Sequence, residues 1–168
     1  MGGISKAFIG RVADFTTIST PIAVPLVYAD RVNIVDPHVL ALDKKVIEIS
    51  IMYDKSSVES PSAGVRKGII AKPKVTLVTA GNEADLMGLV DLIKNDDLLI
   101  FTEPQEDGID AGYLIQVGTE ALPASLTSHA ITTGTSPEGE KMITLIFEAA
   151  SRTGYYRYTA DLPRVGIA

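Results

Sequence analysis

The clearest pattern of apolar and polar positions lies in residues 46–53, which read VIEISIMY. A repeat of two residues is typical of a strand that buries one face and exposes the other. We therefore predict a half-buried β-strand in this segment. The side chains that fall on its apolar face are Ile47, Ile49, Ile51 and Tyr53.

Shorter runs of apolar residues between polar turns predict the remaining strands. The segment 54–64, DKSSVESPSAG, is small, polar and proline-containing, and it predicts a long loop. The two runs on either side of Pro73 are two strands or one strand broken by a bulge. We predict strands in residues 65–71, 74–80, 97–103, 113–118, 124–133, 140–148 and 155–159, the last of these being the final strand.

The N-terminal part of the chain is harder to place in a sheet. Residues 15–28 are rich in β-branched side chains but carry Pro21 and Pro25, and proline cannot donate to a ladder of hydrogen bonds. We expect an edge strand or an irregular segment, or alternatively an arm that pairs with a neighbouring molecule. Residues 1–14, with three glycines, predict a flexible arm, and residues 161–168 predict a short mobile tail.

One segment, residues 82–94, has the pattern of an amphipathic helix. Asn82 is a favourable N-cap, and acidic residues follow it where the helix dipole is positive. Gly88 costs up to about 1 kcal/mol relative to alanine in a helix interior. A close neighbour would explain this glycine, and so would chance. The apolar stripe of the helix consists of Leu86, Leu89, Val90 and Ile93, widened by Met87.

These elements predict a mainly β, α+β protein formed by residues 1–168 as a single domain. We expect an antiparallel β-sandwich or barrel with the helix of residues 82–94 packed on one side. The strand–helix–strand run over residues 74–103 could form a parallel crossover. A chain of 168 residues can bury enough surface to fold without disulfides or a structural metal.

Composition removes several kinds of chemistry. The chain has no cysteine, which excludes disulfides and thiolate chemistry, and its net charge of −6 disfavours binding to phosphate backbones. It has only two histidines, His38 and His129, which we expect at the surface or at strand ends. No stretch of 18 apolar residues predicts a membrane-spanning helix. We expect no cofactor, no metal, no catalytic residues and no sequence-specific nucleic-acid partner.

The strongest candidate for hidden chemistry is the acidic loop in residues 104–112. Closely spaced carboxylates suit Ca²⁺, but their spacing does not match the calcium loop of the EF-hand, and a solvated hairpin tip explains them more simply. A carboxylate-dependent enzyme would use Glu103, Glu106 and Asp107. The acidic residues in and beside this loop are Glu103, Glu106, Asp107 and Asp110.

Three segments together resemble the tail-tube and related ring-forming tail proteins of bacteriophages. They are VIEISIMYDKSSVESPSAG at 46–64, KVTLVTAGNEADLMGLVDLIK at 74–94 and GEKMITLIFEAA at 139–150. The resemblance implies that subunits join their sheets into a ring, commonly six-fold, and that rings stack into a tube with an acidic lumen through which DNA passes. The two prolines near the possible pairing arm depart from this picture.

We therefore expect a non-catalytic virion protein that forms homo-oligomeric rings and contacts other tail proteins. The alternatives are a surface-displayed β-sandwich that binds a carbohydrate or peptide through residues 54–64 and 104–112, and a small carboxylate-dependent enzyme. Tyrosine and arginine are enriched at protein interfaces, which singles out two residues of the last predicted strand. The candidate subunit interface consists of Asp54, Lys55, Val58, Arg66, Met87, Tyr156 and Arg157.

Overall fold

The computed structural model describes residues 4–22, 24–52, 54–80, 84–106, 109–110, 112–132 and 141–167. The described chain is mainly β, with one α-helix and two short 3-10 helices, Val12–Asp14 and Tyr28–Arg31. In chain order the elements are β1 Ile4–Arg11, β2 Phe15–Thr17, β3 Asn33–Ile34, β4 Val39–Leu40, β5 Val46–Ser50, β6 Ser57–Glu59, β7 Ser62–Ala63, β8 Ile70–Ala71, β9 Lys74–Ala80, α1 Ala84–Ile93, β10 Leu98–Glu106, β11 Ile109–Asp110, β12 Leu114–Val117, β13 Ser125–Thr132, β14 Met142–Glu148, β15 Tyr156–Tyr158 and β16 Arg164–Ile167.

Two main sheets define the architecture. The larger has the strand order β16-β5-β1-β10-β12-β15-β3, with β11 paired to β10, and the smaller has the order β13-β14-β9-β6. Most neighbours are antiparallel, while β16 with β5 and β15 with β3 are parallel. The prediction of a mainly β, sandwich-like fold with one helix is confirmed. The barrel alternative is not, because no sheet closes among the described strands.

The larger sheet packs apolar side chains on both of its faces. Along β10, Leu98 and Ile100 enter the core between the sheets, whereas Leu99 and Phe101 enter a second core on the opposite face. This alternation follows from the two-residue repeat of a strand. The second core is covered by side chains in and beside β2 and β4, such as Phe15 and Leu40, and this covering explains why β10 is apolar on both faces.

The helix joins the two sheets. Its type is as predicted, and Leu86, Leu89, Val90 and Ile93 all pack into the core between the sheets. The predicted cap Asn82 lies outside the described residues. The prediction of a parallel crossover is wrong, because β9 belongs to the smaller sheet and β10 to the larger one.

The prediction of a flexible arm over residues 1–14 is wrong for the described part of that segment. Strand β1 lies inside the larger sheet, between β5 and β10, and the Phe8 side chain is almost fully buried. Gly10 permits a close approach, since a Cβ at that position would lie 2.7 Å from the Phe15 ring. A glycine that looks flexible in the sequence therefore serves packing.

Other segment boundaries also differ from the sequence-based expectations. Residues 164–167, predicted as a mobile tail, form β16 beside β5, so β15 is not the final strand. Within residues 65–71 only Ile70–Ala71 is a strand. Among the described residues of 15–28, Phe15–Thr17 alone is a strand, and it pairs with β4 across a long excursion of the chain. The predicted loop 54–64 contains two short strands, β6 and β7.

No helix in the described part of the chain is long and apolar enough to cross a lipid bilayer.

Candidate subunit interface

The smaller sheet ends in a long, exposed edge strand, β13. Seven of its eight residues are exposed, and Leu126 is the half-buried one. The sequence of the strand, SLTSHAIT, contains no Lys, Arg, Asp, Glu or Pro. Natural edge strands usually carry such residues, because an open edge without them is a template for pairing with another chain. We predicted this strand from the sequence but not its exposure. The absence of charged residues from the strand is the sequence feature that indicates an unprotected edge once the strand order is known.

The β13 strand projects beyond the core of the sandwich. On the face that carries the buried Leu145, its residues His129 and Ile131 are exposed, so the larger sheet does not cover them. On the other face Ser128 and Ala130 are exposed as well. The strand therefore presents both faces and one edge on the described surface.

The opposite edge of the same sheet is β6. Because the three pairings between β13 and β6 are all antiparallel, these two edge strands run in opposite directions. A second molecule in the same orientation could therefore place its β13 beside the β6 of the first and continue an antiparallel sheet. The three-residue length of β6 sets the extent of regular pairing.

Three of the residues predicted for the interface lie at the β6 edge. Val58 is in β6 and half-buried, while Asp54 and Lys55 are exposed just before it. The Lys55 Nζ approaches the Met142 Sδ at 3.6 Å. These three residues form one local group, as their sequence spacing requires.

The structure does not bring the other four predicted residues to this edge strand. Arg66 is exposed in the turn that follows β7, and Met87 is 43% exposed on the outer side of the helix. Tyr156 and Arg157 belong to β15 in the larger sheet, where the Arg157 guanidinium stacks 3.8 Å above the Tyr113 ring. The predicted set therefore comprises several separate surfaces.

A second candidate surface is an apolar segment, residues 22–28, that the sequence analysis treated as an edge strand or arm. Its described residues include five large apolar side chains that are more than half exposed, and Leu26 and Tyr28 are 92% and 91% exposed. Exposed apolar clusters of this kind are rare on monomers and mark interaction sites. The five side chains are Ile22, Val24, Leu26, Val27 and Tyr28.

A groove of about 580 Å³ opens at the start of this segment. Pro21 forms part of its wall, and the loop at residues 119–122 and the chain at residues 150–152 form other parts. Tyr156, one of the predicted interface residues, also lines it. The groove therefore lies between chain segments that follow β12 of the larger sheet and β14 of the smaller sheet.

A polar cluster surrounds His38, which lies at the start of β4, one of its two predicted locations, and is buried. Its Nδ1 accepts a hydrogen bond of 2.9 Å from the Ser19 backbone N–H, and its Nε2 lies 2.7 Å from the Gln116 Oε1. Its ring stacks on Tyr158 with a centroid separation of 4.5 Å. Because a neutral imidazole has one donor and one acceptor, these contacts satisfy it completely.

Burial lowers the pKa of His38 from its usual value, and the hydrogen bond to Gln116 partly opposes this shift. Burial likewise raises the pKa of Tyr158, whose hydroxyl accepts from the His38 backbone N–H and donates to the Asp161 carbonyl. The nearby Ser19 hydroxyl donates to the Pro37 carbonyl. The cluster therefore fastens the base of the chain excursion that carries residues 22–28 to the larger sheet.

The acidic loop around residues 104–112 is a short hairpin of β10 and β11 in which Glu106 pairs with Ile109. Asp107 lies outside the described residues. Within the described ranges, no group of three or more His, Asp or Glu residues is arranged to hold a metal ion. The hairpin therefore supplies no observation that favours cation binding.

The fold and these surfaces place the chain in the broad class of mainly β, two-sheet proteins with open sheet edges. Comparison of the chain with protein-family models, curated proteins and solved structures finds no match.

Proposed function

We propose that this protein is a non-catalytic structural subunit that assembles with copies of itself into rings, which stack into the tube of a virion tail. The observation that carries the proposal is the edge strand β13, which is eight residues long and contains no Lys, Arg, Asp, Glu or Pro. Strand addition to such an edge uses main-chain hydrogen bonds, which any suitably placed strand can supply.

The two edges of the smaller sheet permit a ring. Its two edges, β13 and β6, are different surfaces, so a contact between them is heterologous. Heterologous contacts produce a ring when the rotation between copies closes. The predicted residues Asp54, Lys55 and Val58 lie at the β6 side of this proposed contact.

The net charge of −6 is compatible with the passage of DNA through such a tube. A wall of negative charge repels phosphate groups, so a strand of nucleic acid can slide past it without adhering. In this proposal the partners are other copies of the chain and further tail proteins, and the place of action is the virion.

Negative-stain imaging combined with light scattering of the purified chain tests the proposal. We expect rings, and we expect a Ser128→Lys/Ala130→Lys variant to raise the protein concentration needed for assembly by at least about tenfold. Lysine at an edge strand hinders pairing with another strand, and both positions are exposed in the single molecule.

A Thr144→Lys variant is the matched control. Thr144 lies opposite Ala130, but on β14, which is paired on both sides. This variant should assemble like the unmodified chain. A chain that stays monomeric at all concentrations, or a β13 variant that assembles as readily as the control, contradicts the proposal.

A further inference from the structure

The chain excursion between β2 and β4, residues 18–38, is closed at its base by two hydrogen bonds. The Ser19 backbone N–H donates to the His38 Nδ1 at 2.9 Å, and the Ser19 hydroxyl donates to the Pro37 carbonyl at 3.1 Å. Among the described residues of 20–31, backbone hydrogen bonds stay inside the excursion, as between Asp30 and Val27. The two bonds of Ser19 therefore hold the outgoing part of the excursion, while β3 holds the returning part.

The bond between Ser19 and His38 exists in only one charge state of the ring. A backbone N–H can only donate, so it requires an unprotonated Nδ1, and the proton of the neutral ring is then on Nε2. This Nε2 donates to the Gln116 Oε1 at 2.7 Å. A second proton would place two N–H groups against each other at Nδ1 and would leave the contact at Nε2 unchanged. Protonation therefore breaks the bond to Ser19 selectively.

The residues in contact with the His38 ring do not offset a positive charge on it. Among the described ones, only Tyr158 is titratable, and burial raises its pKa, so its hydroxyl is neutral in acid and neutral solution. The Asp161 carboxylate acts on Tyr158, whereas burial is the larger cause of the lowered pKa of His38. The side chains that face the ring are Phe15 of β2, Phe101 of β10, Gln116 of β12 and Tyr158 of β15.

The same contacts position two walls of the groove of about 580 Å³ described above. Thr20 and Pro21, which follow Ser19 directly, form one part of its wall, and the loop at residues 119–122 forms another. The Gln116 amide donates at 3.0 Å to the Gly118 carbonyl, at the start of that loop. His38 thus contacts a residue beside each wall, and only its contact with Ser19 depends on the charge of the ring.

We propose that His38 is a pH-sensitive switch whose protonation releases Ser19 and the chain that follows it, so that the wall formed by Thr20 and Pro21 moves away from the loop at residues 119–122 while both cores stay folded. This proposal goes beyond the proposed function and does not require copies of the chain to meet. Either proposal can therefore fail without the other.

The size of the effect follows from proton linkage. In the released form water replaces Ser19 at Nδ1, and the pKa of the ring returns towards about 6.5, the ordinary value for histidine. Each pH unit below that value favours the released form by up to about tenfold, until the closed form is protonated as well. The ratio of released to closed chains therefore rises by at most about 30-fold between neutral solution and about pH 5.

Amide hydrogen exchange, followed by NMR in the full-length chain, tests the switch at the Ser19 N–H itself. Exchange through local release needs less free energy than exchange through global unfolding and is nearly independent of low urea concentrations. We expect the protection factor of Ser19 to fall by about tenfold or more between about pH 7.5 and about pH 5, at either pH without dependence on urea. The Phe101 N–H, in β10 between two paired strands, reports global unfolding for comparison.

Two variants separate the ring from the rest of the base. His38→Gln keeps a polar side chain that does not titrate, so the Ser19 protection factor should agree within about twofold at the two pH values. Ser19→Ala is the matched control, because it removes the hydroxyl bond to Pro37 but keeps the N–H that donates to His38. Its residue-19 amide should show the same fall with pH as in the unmodified chain.

A Ser19 protection factor in the unmodified chain that stays within about threefold across this pH range overturns the inference. So does exchange at Ser19 with the opening free energy and urea dependence of Phe101, because the excursion would then open only when the whole chain unfolds. A His38→Gln variant that keeps the full fall with pH contradicts the assignment to His38. The unmodified chain alone decides the first two outcomes, whether or not a variant folds.

Discussion

His38 combines burial, ring stacking and a complete set of hydrogen bonds at the base of the excursion that carries the apolar segment. Its Nδ1 must stay unprotonated to accept the bond from Ser19. Protonation would place two N–H donors on a ring with only one acceptor beside it and would also charge a buried group. The neutral form of His38 is therefore part of the folded structure.

We predict that the free energy of unfolding falls as the pH is lowered below about 6.5, the pKa of histidine in an unfolded chain. The folded-state pKa of His38 is lowered by burial, so between the two pKa values the unfolded chain binds more protons than the folded chain. The stabilisation that depends on neutral His38 is fully present above the pKa of the unfolded chain. It is lost as the pH falls through the pKa of His38 in the folded chain. Urea denaturation between pH 5 and about pH 8 measures it.

A His38→Gln variant should lose most of this dependence on pH, whatever its stability at neutral pH. His129→Gln is the control, because it keeps His38 and all of its contacts and should therefore keep the pH dependence that His38 causes. An unaltered slope in the His38 variant would show that another group is responsible.

The Tyr158 hydroxyl bridges two parts of the chain, and its removal makes a second prediction at this scale. Tyr158→Phe leaves the His38 backbone N–H and the Asp161 carbonyl without this partner. A buried polar group that loses its hydrogen bond costs about 1–3 kcal/mol. Urea denaturation at neutral pH should show a loss in that range, and a loss near zero would mean that water replaces the hydroxyl.

At the scale of elements, Gly88 and Gly118 differ in the space around them. Nothing lies within 4 Å of a Cβ added at Gly88, in the helix, whereas a Cβ at Gly118 would lie 2.8 Å from the Ala124 backbone nitrogen at a φ of +96°. Gly88 is therefore not required by a close neighbour, and the helix would be more stable with alanine there.

We predict that Gly88→Ala raises the free energy of unfolding by up to about 1 kcal/mol. The same substitution at Gly118 should lower it by about 1–3 kcal/mol, since the backbone conformation disfavours a side chain. Thermal and urea unfolding of both variants compare the two effects. A destabilised Gly88→Ala variant would contradict the open environment of that position.

Elements with a regular repeat could be predicted from the sequence, and elements with a mixed repeat could not. The alternation in residues 46–53 identified the strand β5, observed over Val46–Ser50, and the stripe in α1 identified the helix. The predicted half-burial of the strand is not observed, because Ile49 enters one core and Val46, on the opposite face, enters the other. Strand β1 was missed because Ala7, Phe8 and Ile9 are consecutive and face two different cores, so their pattern has no single apolar face.

The candidate interface was predictable only in part. Asp54, Lys55 and Val58 lie at an open sheet edge, but their relation to β13 depends on the order of strands, which no local pattern encodes. The exposure of residues 22–28 depends in turn on what the rest of the chain leaves uncovered. Apolar residues in a sequence normally indicate a core, and only the structure shows that these are at the surface.

At the scale of the whole molecule, the two apolar cores are filled, but the two edge strands of the smaller sheet, β13 and β6, each lack a neighbouring strand on one side. The interior is filled by side chains from both sheets and the helix. The described surface features that the fold of a single molecule leaves uncovered include β13, β6 and the segment 22–28. Each of them is accounted for if copies of the chain cover one another.

Disulfide cross-linking tests this account most directly, because the natural chain contains no cysteine. A set of double variants pairs Val58→Cys in β6 with a single cysteine at Leu126, His129 or Ile131, the positions of β13 that lie on the same face of the sheet as Val58. Paired strands bring opposite Cα atoms to about 4.5–5.5 Å, which is within the range of a disulfide. After oxidation of the folded protein, we predict a ladder of covalent multimers from at least one double variant and none beyond the dimer from any single-cysteine variant. Monomers alone from every double variant would contradict the account.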